Sequence, residues 1–327
     1  MNVLLAFNSI IPVIKYGGTQ RDIWYLGREL VKMGHGVTYL VAKGSKCDFA
    51  EVLYWDNSSP LNEQIPGEID IVNLHYPFGG YLDKPYIASI HGNRANVQLT
   101  ENTTFVSRNH AMRFNAETFV YNGMDWDDYG EVNLAASREY YHFLGKAAWR
   151  IKNLKGAIQI INHSKGEHLM VLGGKRLNLK MGPRLTLSTK VSFAGMVGGE
   201  GKNALLRKSK GLIFPVLWHE PFGLAIPESL YFGCPVFGTP YGSLPELVTE
   251  EFGFLSNRSS EIVEALKNSE TYSRQKCHEY ARDVFNSRKM AESYLEIYER
   301  VLNGEKLNQN KPGLKENQQS QILPWYD

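Results

Sequence analysis

The sequence predicts an α/β protein with parallel sheets, divided into two domains, and three observations predict it. The chain has 327 residues, enough for two cores, and its 43% hydrophobic and 21% charged content is ordinary globular composition. An apolar run at Asn2–Phe7, a helical pattern over Thr19–Met33 and a second apolar run at Val37–Ala42 form a strand–helix–strand unit. Such a unit implies parallel strands joined by a right-handed crossover. The same order recurs over Gly211–Val248, with an apolar strand to Leu217, a polar turn at Trp218-His219-Glu220-Pro221, a helix pattern around Pro227-Glu228 and a second strand at Pro235–Phe237.

In the first helix, Ile23, Leu26, Leu30 and Met33 recur at helical spacing, and Gly34-His35-Gly36 ends it. Short strands are expected at Ile69–His75, Tyr86–His91, Thr104–Ser107 and Thr118–Tyr121. A second domain opens with a strand at Tyr141–Leu144 and a helix over Asn153–Asn162, followed by strands at His168–Leu172 and Val191–Ala194 and a short basic helix at Asn203–Lys208. Gly253–Leu255 reads as an edge strand, and Ser259–Lys267, Tyr272–Val284 and Ser287–Leu302 as helices, the last with an apolar stripe at Met290, Tyr294, Ile297, Tyr298 and Val301. The division predicted is a first domain over 1–125, a linker over 126–139, a second domain over 140–285, a terminal helix over 286–302 and a tail over 303–327. The tail is Asn/Gln/Lys-rich and expected to be mobile as far as Gln321, after which Ile322-Leu-Pro-Trp-Tyr326 could dock on a face that the sequence does not identify.

Charge and cysteine usage exclude several classes. A net charge of +2 is too small for a nucleic-acid-binding face, although it leaves peripheral attraction to an anionic membrane surface open. Cys47, Cys234 and Cys277 are far apart and odd in number, so neither a disulfide framework nor a zinc site is expected. The N-terminal run lacks a basic region and a cleavage site, and no stretch approaches the ~20 apolar residues of a membrane span. A cytoplasmic protein, at most at the inner face of the membrane, is expected.

The chemistry concentrates in Gly211–Val248. Glu220 falls in the loop and Glu228 in the first helical turn, with seven residues between them. A helix N-terminus attracts phosphate, and Gly223 lets the backbone approach it closely. Ionised carboxylates are acceptors that a vicinal diol meets with two O–H donors. Phosphate together with diols points to a nucleotide sugar, although an isolated Glu pair at a helix entrance is more often two ordinary charged residues. The stretch resembles the signature of family 4 of the retaining glycosyltransferases, a Glu-(seven residues)-Glu element followed here by Gly233-Cys234-Pro235-Val236 and Gly242-Ser243-Leu244-Pro245-Glu246-Leu247. The run Tyr16-Gly17-Gly18-Thr19 with Leu26-Gly-Arg-Glu-Leu30, and Tyr121-Asn122-Gly123-Met124-Asp125, resemble further elements of that family, the last with Tyr121 where proline is usual.

The resemblance implies the GT-B fold, two doubly wound Rossmann-like domains facing each other across a cleft, with the nucleotide sugar held mainly by the second and the acceptor by the first. It implies metal-independent transfer of a sugar, from a UDP-sugar by family frequency, to a saccharide, lipid-linked or small-molecule acceptor, with retention at the anomeric carbon. No cofactor and no nucleic-acid partner are implied. Glu220, His91 and Lys152 would be catalytic, Glu220 orienting the sugar and His91, at the end of a strand, meeting its far side. Lys146, Glu228, Gly223, Leu224, Gly173, Met196, Gly17 and Gly18 would hold the donor. Lys146 stands where arginine is usual, so charge is kept while the bidentate fork is lost. Asp125-Trp126-Asp127 matches the Asp-x-Asp metal motif of another glycosyltransferase fold, but it abuts an Asn-Gly turn rather than a buried strand end, so no metal is expected there. A nucleotide-sugar epimerase on the same fold, or a binding protein that has lost catalysis, are the alternatives.

Overall fold

The computed structural model describes residues 1–13, 17–178, 184–315 and 322–327. Tyr16, part of the first glycine motif, lies outside them. The chain forms two compact units, one of Met1–Asp125 with the described residues of Phe285–Gln319, the other of Trp126–Val284 with those of Ser320–Asp327.

The first unit contains β1 (Asn2–Phe7), α1 (Gly18–Lys32), β2 (Gly36–Val41), β3 (Glu51–Tyr54), β4 (Ile71–Leu74), β5 (Tyr86–Ile90), β6 (Thr103–Phe105) and α2 (Arg108–Arg113). Its sheet is parallel throughout, in the order β3-β2-β1-β4-β5-β6. Val3, Leu4, Leu5 and Ala6 are wholly buried, as the continuous apolar run of a central strand covered on both faces requires. Such burial contributes about 1.5–3 kcal/mol per large aliphatic side chain. Strand β3 escapes the sequence pattern because EVLY is four residues long, half-exposed and at the sheet edge. The strand expected at Thr118–Tyr121 is reduced to one bridge, Phe105 to Phe119.

The second unit contains β7 (Tyr140–Leu144), α3 (Leu154–His163), β8 (Leu169–Leu172), the pair β9 (Leu177–Asn178) and β10 (Arg184–Leu185), then β11 (Val191–Gly195), α4 (Gly199–Leu206) and β12 (Ser209–Phe214). It continues through α5 (Ala225–Tyr231), β13 (Val236–Gly238), α6 (Leu244–Leu247), β14 (Gly253–Leu255), α7 (Ser259–Leu266) and α8 (Arg274–Val284). The larger sheet runs β11-β8-β7-β12-β13-β14, also parallel. Counting within each unit, both sheets read 3-2-1-4-5-6, the doubly wound order whose switch point lies between the first and fourth strands. The core of the second unit includes Tyr141, Phe143, Ile160, Ile161, Val171, Ile213 and Phe237.

Helix α9 (Ser287–Leu302) belongs to the first unit. The Asn286 side chain caps it by accepting from the Lys289 N–H at 2.9 Å, and the predicted stripe of Met290, Tyr294, Ile297, Tyr298 and Val301 is buried. The first part of the tail is fixed rather than mobile. Asn308 is 3% exposed, donates to the carbonyls of Glu101 and Thr103, and accepts from the N–H groups of Glu117 and Thr118. One polar side chain thereby satisfies four backbone groups, which composition alone could not reveal. The terminal segment docks on the second unit, where the Leu323 N–H donates to the Leu217 carbonyl, Trp325 packs against the core and Tyr326 pairs with the backbone of Asn257 and Ser259. Among the described residues, no helix is long and apolar enough to cross a membrane.

Candidate active site

In the second unit the loops that follow β7 and β12 flank the switch point. A short helical turn at Arg150–Lys152 precedes α3, and Asn153, in the left-handed region at φ 53°, caps α3 by accepting from the Gly156 N–H. The Leu217 N–H donates to the Ile151 carbonyl at 2.7 Å and ties the two loops together. Lys152 Nζ thereby reaches Glu220 Oε2 at 2.5 Å, with their side chains 10% and 8% exposed. The Trp218 indole N–H donates to the same oxygen at 2.7 Å, and the Lys152 ammonium lies over the rings of Phe214 and Trp218. Oε1 of Glu220 is engaged by neither donor, which leaves it able to accept from a hydroxyl.

Glu228, in the first turn of α5, is 2% exposed and accepts from Lys202 Nζ at 2.7 Å and from the Tyr129 hydroxyl at 2.6 Å. Neither partner was singled out in the sequence. Lys202 sits among the glycines at the start of α4, which begins at Gly199 rather than at Asn203, and Gly198–Gly201 conceals a helical start from propensity. Behind α5, His142 bonds Ser209 and Ser229 through its two ring nitrogens at 2.6 and 2.8 Å, and burial pushes its pKa down to about 3.

The glycines frame the strand ends. Gly173 has φ 124°, and a Cβ there would stand 2.0 Å from the Gly145 carbonyl oxygen, so the loop after β8 lies directly on the one that carries Lys146. Lys146 is half-buried, its ammonium 4.8 Å above the Trp149 ring. Gly223 has φ 84°, Leu224 precedes the first residue of α5, and Met196 is exposed after β11. The structure therefore brings Lys152 to Glu220 and places Glu228 nearby in sequence on α5, held by residues of its own.

In the first unit, Gly17 and Gly18 open α1. His91 follows β5 and His75 follows β4, at the same sheet edge as the loop after β1. His75 Nδ1 lies 3.0 Å from His91 Nε2, with the rings stacked at 5.2 Å, and His91 Nδ1 is 3.8 Å from Oδ2 of Asp22 on α1. Both ring nitrogens of His91 thus face protein groups. Burial pushes the Asp22 carboxyl up to about 8, against a smaller opposing pull from the Gly123 N–H and Arg21, and pushes His91 down to about 4. Burial, helped by His91, holds His75 well below its usual range. Asp125 of the Asp-x-Asp match is paired with Arg28 at 2.8 Å and Lys32 at 2.9 Å.

These two units, each with its polar groups at a sheet switch point, define the class: a GT-B protein of two Rossmann-like domains. Residues 138–269 match the family model described as glycosyl transferases group 1. Among solved structures the chain is similar to AviGT4, a glycosyltransferase involved in avilamycin A biosynthesis, at 21% identity and a TM-score of 0.73 over 93% of this chain and 98% of that one. It is also similar to sucrose-phosphate synthase from Thermosynechococcus elongatus, at 16% identity and 0.71 over 93% and 99%, and to HepE from Anabaena in complex with UDP-glucose, at 15% and 0.64 over 93% and 100%. An uncharacterized 41.2 kDa protein in the cps region of Klebsiella pneumoniae is 29% identical over 115 residues, 33% of this chain. The match spans about a third of that relative's length, 32%.

Proposed function

We propose that the protein is a retaining glycosyltransferase that moves a sugar from a nucleotide-diphosphate sugar to an acceptor hydroxyl in surface polysaccharide synthesis. The observation that carries the reading is the buried contact of Lys152 with Glu220 at the C-terminal end of the sheet, where open α/β folds bind ligands. The cps-region relative supports the polysaccharide setting, and the UDP-glucose bound by HepE makes a UDP-sugar the first donor to test.

In the reaction the bond from the anomeric carbon to the diphosphate breaks and its electron pair leaves with the nucleotide. The acceptor oxygen bonds the same carbon from the same face, and its proton passes to the departing diphosphate oxygen. Lys152, held by Glu220 and Trp218 before any ligand arrives, is pre-organised to stabilise the developing diphosphate charge, and Lys146 adds a second cation on the adjoining loop. Glu220 turns Oε1 to the sugar hydroxyls and Glu228 serves the ribose. Gly173, Gly223, Leu224 and Met196 supply backbone and rim contacts to the nucleotide. Gly17 and Gly18 border the acceptor. His91 has its nitrogens turned to Asp22 and His75, so a sugar contact through them needs the ring to turn.

The test is incubation with a panel of UDP-, GDP- and ADP-sugars and saccharide or lipid-linked acceptors, following nucleotide release and product linkage. Turnover with retention, lowered at least about 100-fold by Glu220→Ala and by Lys152→Ala, is the expected result. Wild-type rates in both variants would overturn the site. Sugar conversion without an acceptor would replace transfer by epimerisation.

A further inference from the structure

The stretch that joins β8 to β11 carries an inference that goes beyond the transfer reading and does not depend on it. Parallel neighbours need a crossover connection, and an α-helix is the usual one. Among the described residues no helix joins these two strands, and the β9–β10 hairpin stands in that place. A crossover helix buries its apolar face against the sheet, whereas this hairpin turns one outward.

Leu177 and Leu185 are directly paired in the antiparallel register, so both side chains lie on one face of the hairpin. Leu185, Thr186 and Leu187 are exposed, buried and exposed in turn, which puts Leu187 on that face as well. Leu177 is 55% exposed, Leu185 59% and Leu187 80%, the last more than any other large apolar side chain among the described residues. Single exposed leucines are ordinary, but three on one face are not. The opposite face is fastened down. Arg176 donates to the carbonyls of Thr186 at 2.8 Å and Ser188 at 3.0 Å, and its guanidinium lies 5.7 Å from the centre of the Phe193 ring. The leucines are therefore held outward by a braced backbone.

The charge pattern says what would cover them. Between Glu167 and Glu200 the sequence has five Lys or Arg residues and no Asp or Glu, whereas the rest of the chain is net negative, since the whole is only +2. The two flanking acids are already paired, Glu167 with Lys210 and Glu200 with Arg207. Lys175, two residues before Leu177, is exposed. Apolar side chains able to enter a headgroup layer, within a stretch that has cations to attract anionic lipid and no acid to be repelled by it, suit the surface of an anionic bilayer.

We propose that the β9–β10 hairpin docks the protein on an anionic membrane surface, with Leu177, Leu185 and Leu187 entering the interface and Lys175 at its rim. Lys146, Lys152, Glu220 and Glu228 take no part in it.

The experiment uses the full chain freed of any affinity tag, floated on a density gradient with vesicles of phosphatidylcholine alone or mixed with phosphatidylglycerol. No nucleotide is present, so failure of the transfer reading does not enter. Binding to the mixed vesicles at least about tenfold stronger than to phosphatidylcholine alone, and released by ~0.5 M salt, is expected. Leu185→Glu and Leu187→Glu alter side chains that face mostly water, so each should keep the parent melting temperature and weaken vesicle binding at least about tenfold. Lys175→Glu should weaken it at least about fivefold. Equal binding to both vesicles, binding to neither, or binding that survives both leucine substitutions would overturn the proposal. So would a dimer in vesicle-free sedimentation that Leu187→Glu splits into monomers, since the face would then belong to a second copy. The lipid and salt dependence of the unaltered chain tests the proposal even where a substituted chain fails to fold.

Discussion

The contact between Lys152 and Glu220 makes a quantitative prediction about the second unit that needs no substrate. Both side chains are nine-tenths buried, so water screens the pair little, and Glu220 Oε2 has Trp218 as its second donor. Lys152→Met removes the charge that balances a buried carboxylate. Breaking a buried pair costs about 3–5 kcal/mol, and because Trp218 keeps one hydrogen bond to the carboxylate the low end, about 3 kcal/mol, applies here. At about 2–4 °C per kcal/mol for a unit of this size, the melting transition should fall by about 6–12 °C. Glu220→Gln should also destabilise, since it leaves the ammonium buried against a neutral amide. The double variant Lys152→Met with Glu220→Gln removes both charges at once and should recover at least about 1 kcal/mol of the summed losses. Differential scanning calorimetry of the four proteins closes the cycle. Losses that add to within about 0.5 kcal/mol would refute the pair as a coupled unit and, with it, the idea that Lys152 is pre-positioned by Glu220.

Three other outcomes follow from single contacts. Gly173→Ala places a Cβ against the Gly145 carbonyl at positive φ and should destabilise by at least about 2 kcal/mol, read from a urea melt; an unchanged midpoint would mean that the two loops do not touch. His142 stays neutral in the folded state to about pH 3, whereas the unfolded imidazole takes up its proton near 6.5. Between those values the unfolded state binds more protons, so stability falls as pH drops, by up to about 1.4 kcal/mol per pH unit from this residue, and His142→Asn should flatten that limb of the pH–stability curve. Trp325→Ala should cost about 1–2 kcal/mol, since the indole is half-buried against the core of the second unit, and should expose the loop at Leu217 to proteolysis; a melt like that of the parent would mean the terminal segment is not docked.

The parts of the fold that were legible in the sequence are those where burial and local pattern agree. Strand β1 is covered on both faces and reads as an unbroken apolar run, and α9 has a one-sided stripe that is buried as predicted. Strand β3 was missed, and the stretch Thr118–Tyr121 was read as a full strand where a single bridge at Phe119 forms, because edge positions impose little pattern. Within the candidate site, Glu220 and Lys152 could be named because a family spacing marks them, and the structure brings them together. Lys202 could not be named, since its role depends on where α4 sits against α5 and nothing local distinguishes it from a solvated lysine. Asp22 lies beside Ile23 and one turn before Leu26, so a carboxylate next to an apolar face was the available signal. Its meaning came from His75 and His91, more than 50 residues away in sequence.

The two sheets share one strand order, yet their switch points hold opposite electrostatics. In the second unit each buried carboxylate has a lysine within hydrogen-bond reach, Lys152 for Glu220 and Lys202 for Glu228. Those acids already have cationic partners in place. In the first unit the buried Asp22 carboxyl instead faces the His91 imidazole at 3.8 Å. A lysine at that position would have made the first site resemble the second. Two imidazoles bonded to each other stand there instead, and burial disfavours the charged form of all three groups. The strand order thus fixes where each unit gathers its polar groups, while the choice of lysine or histidine opposite the carboxylate decides what partner the acid meets there.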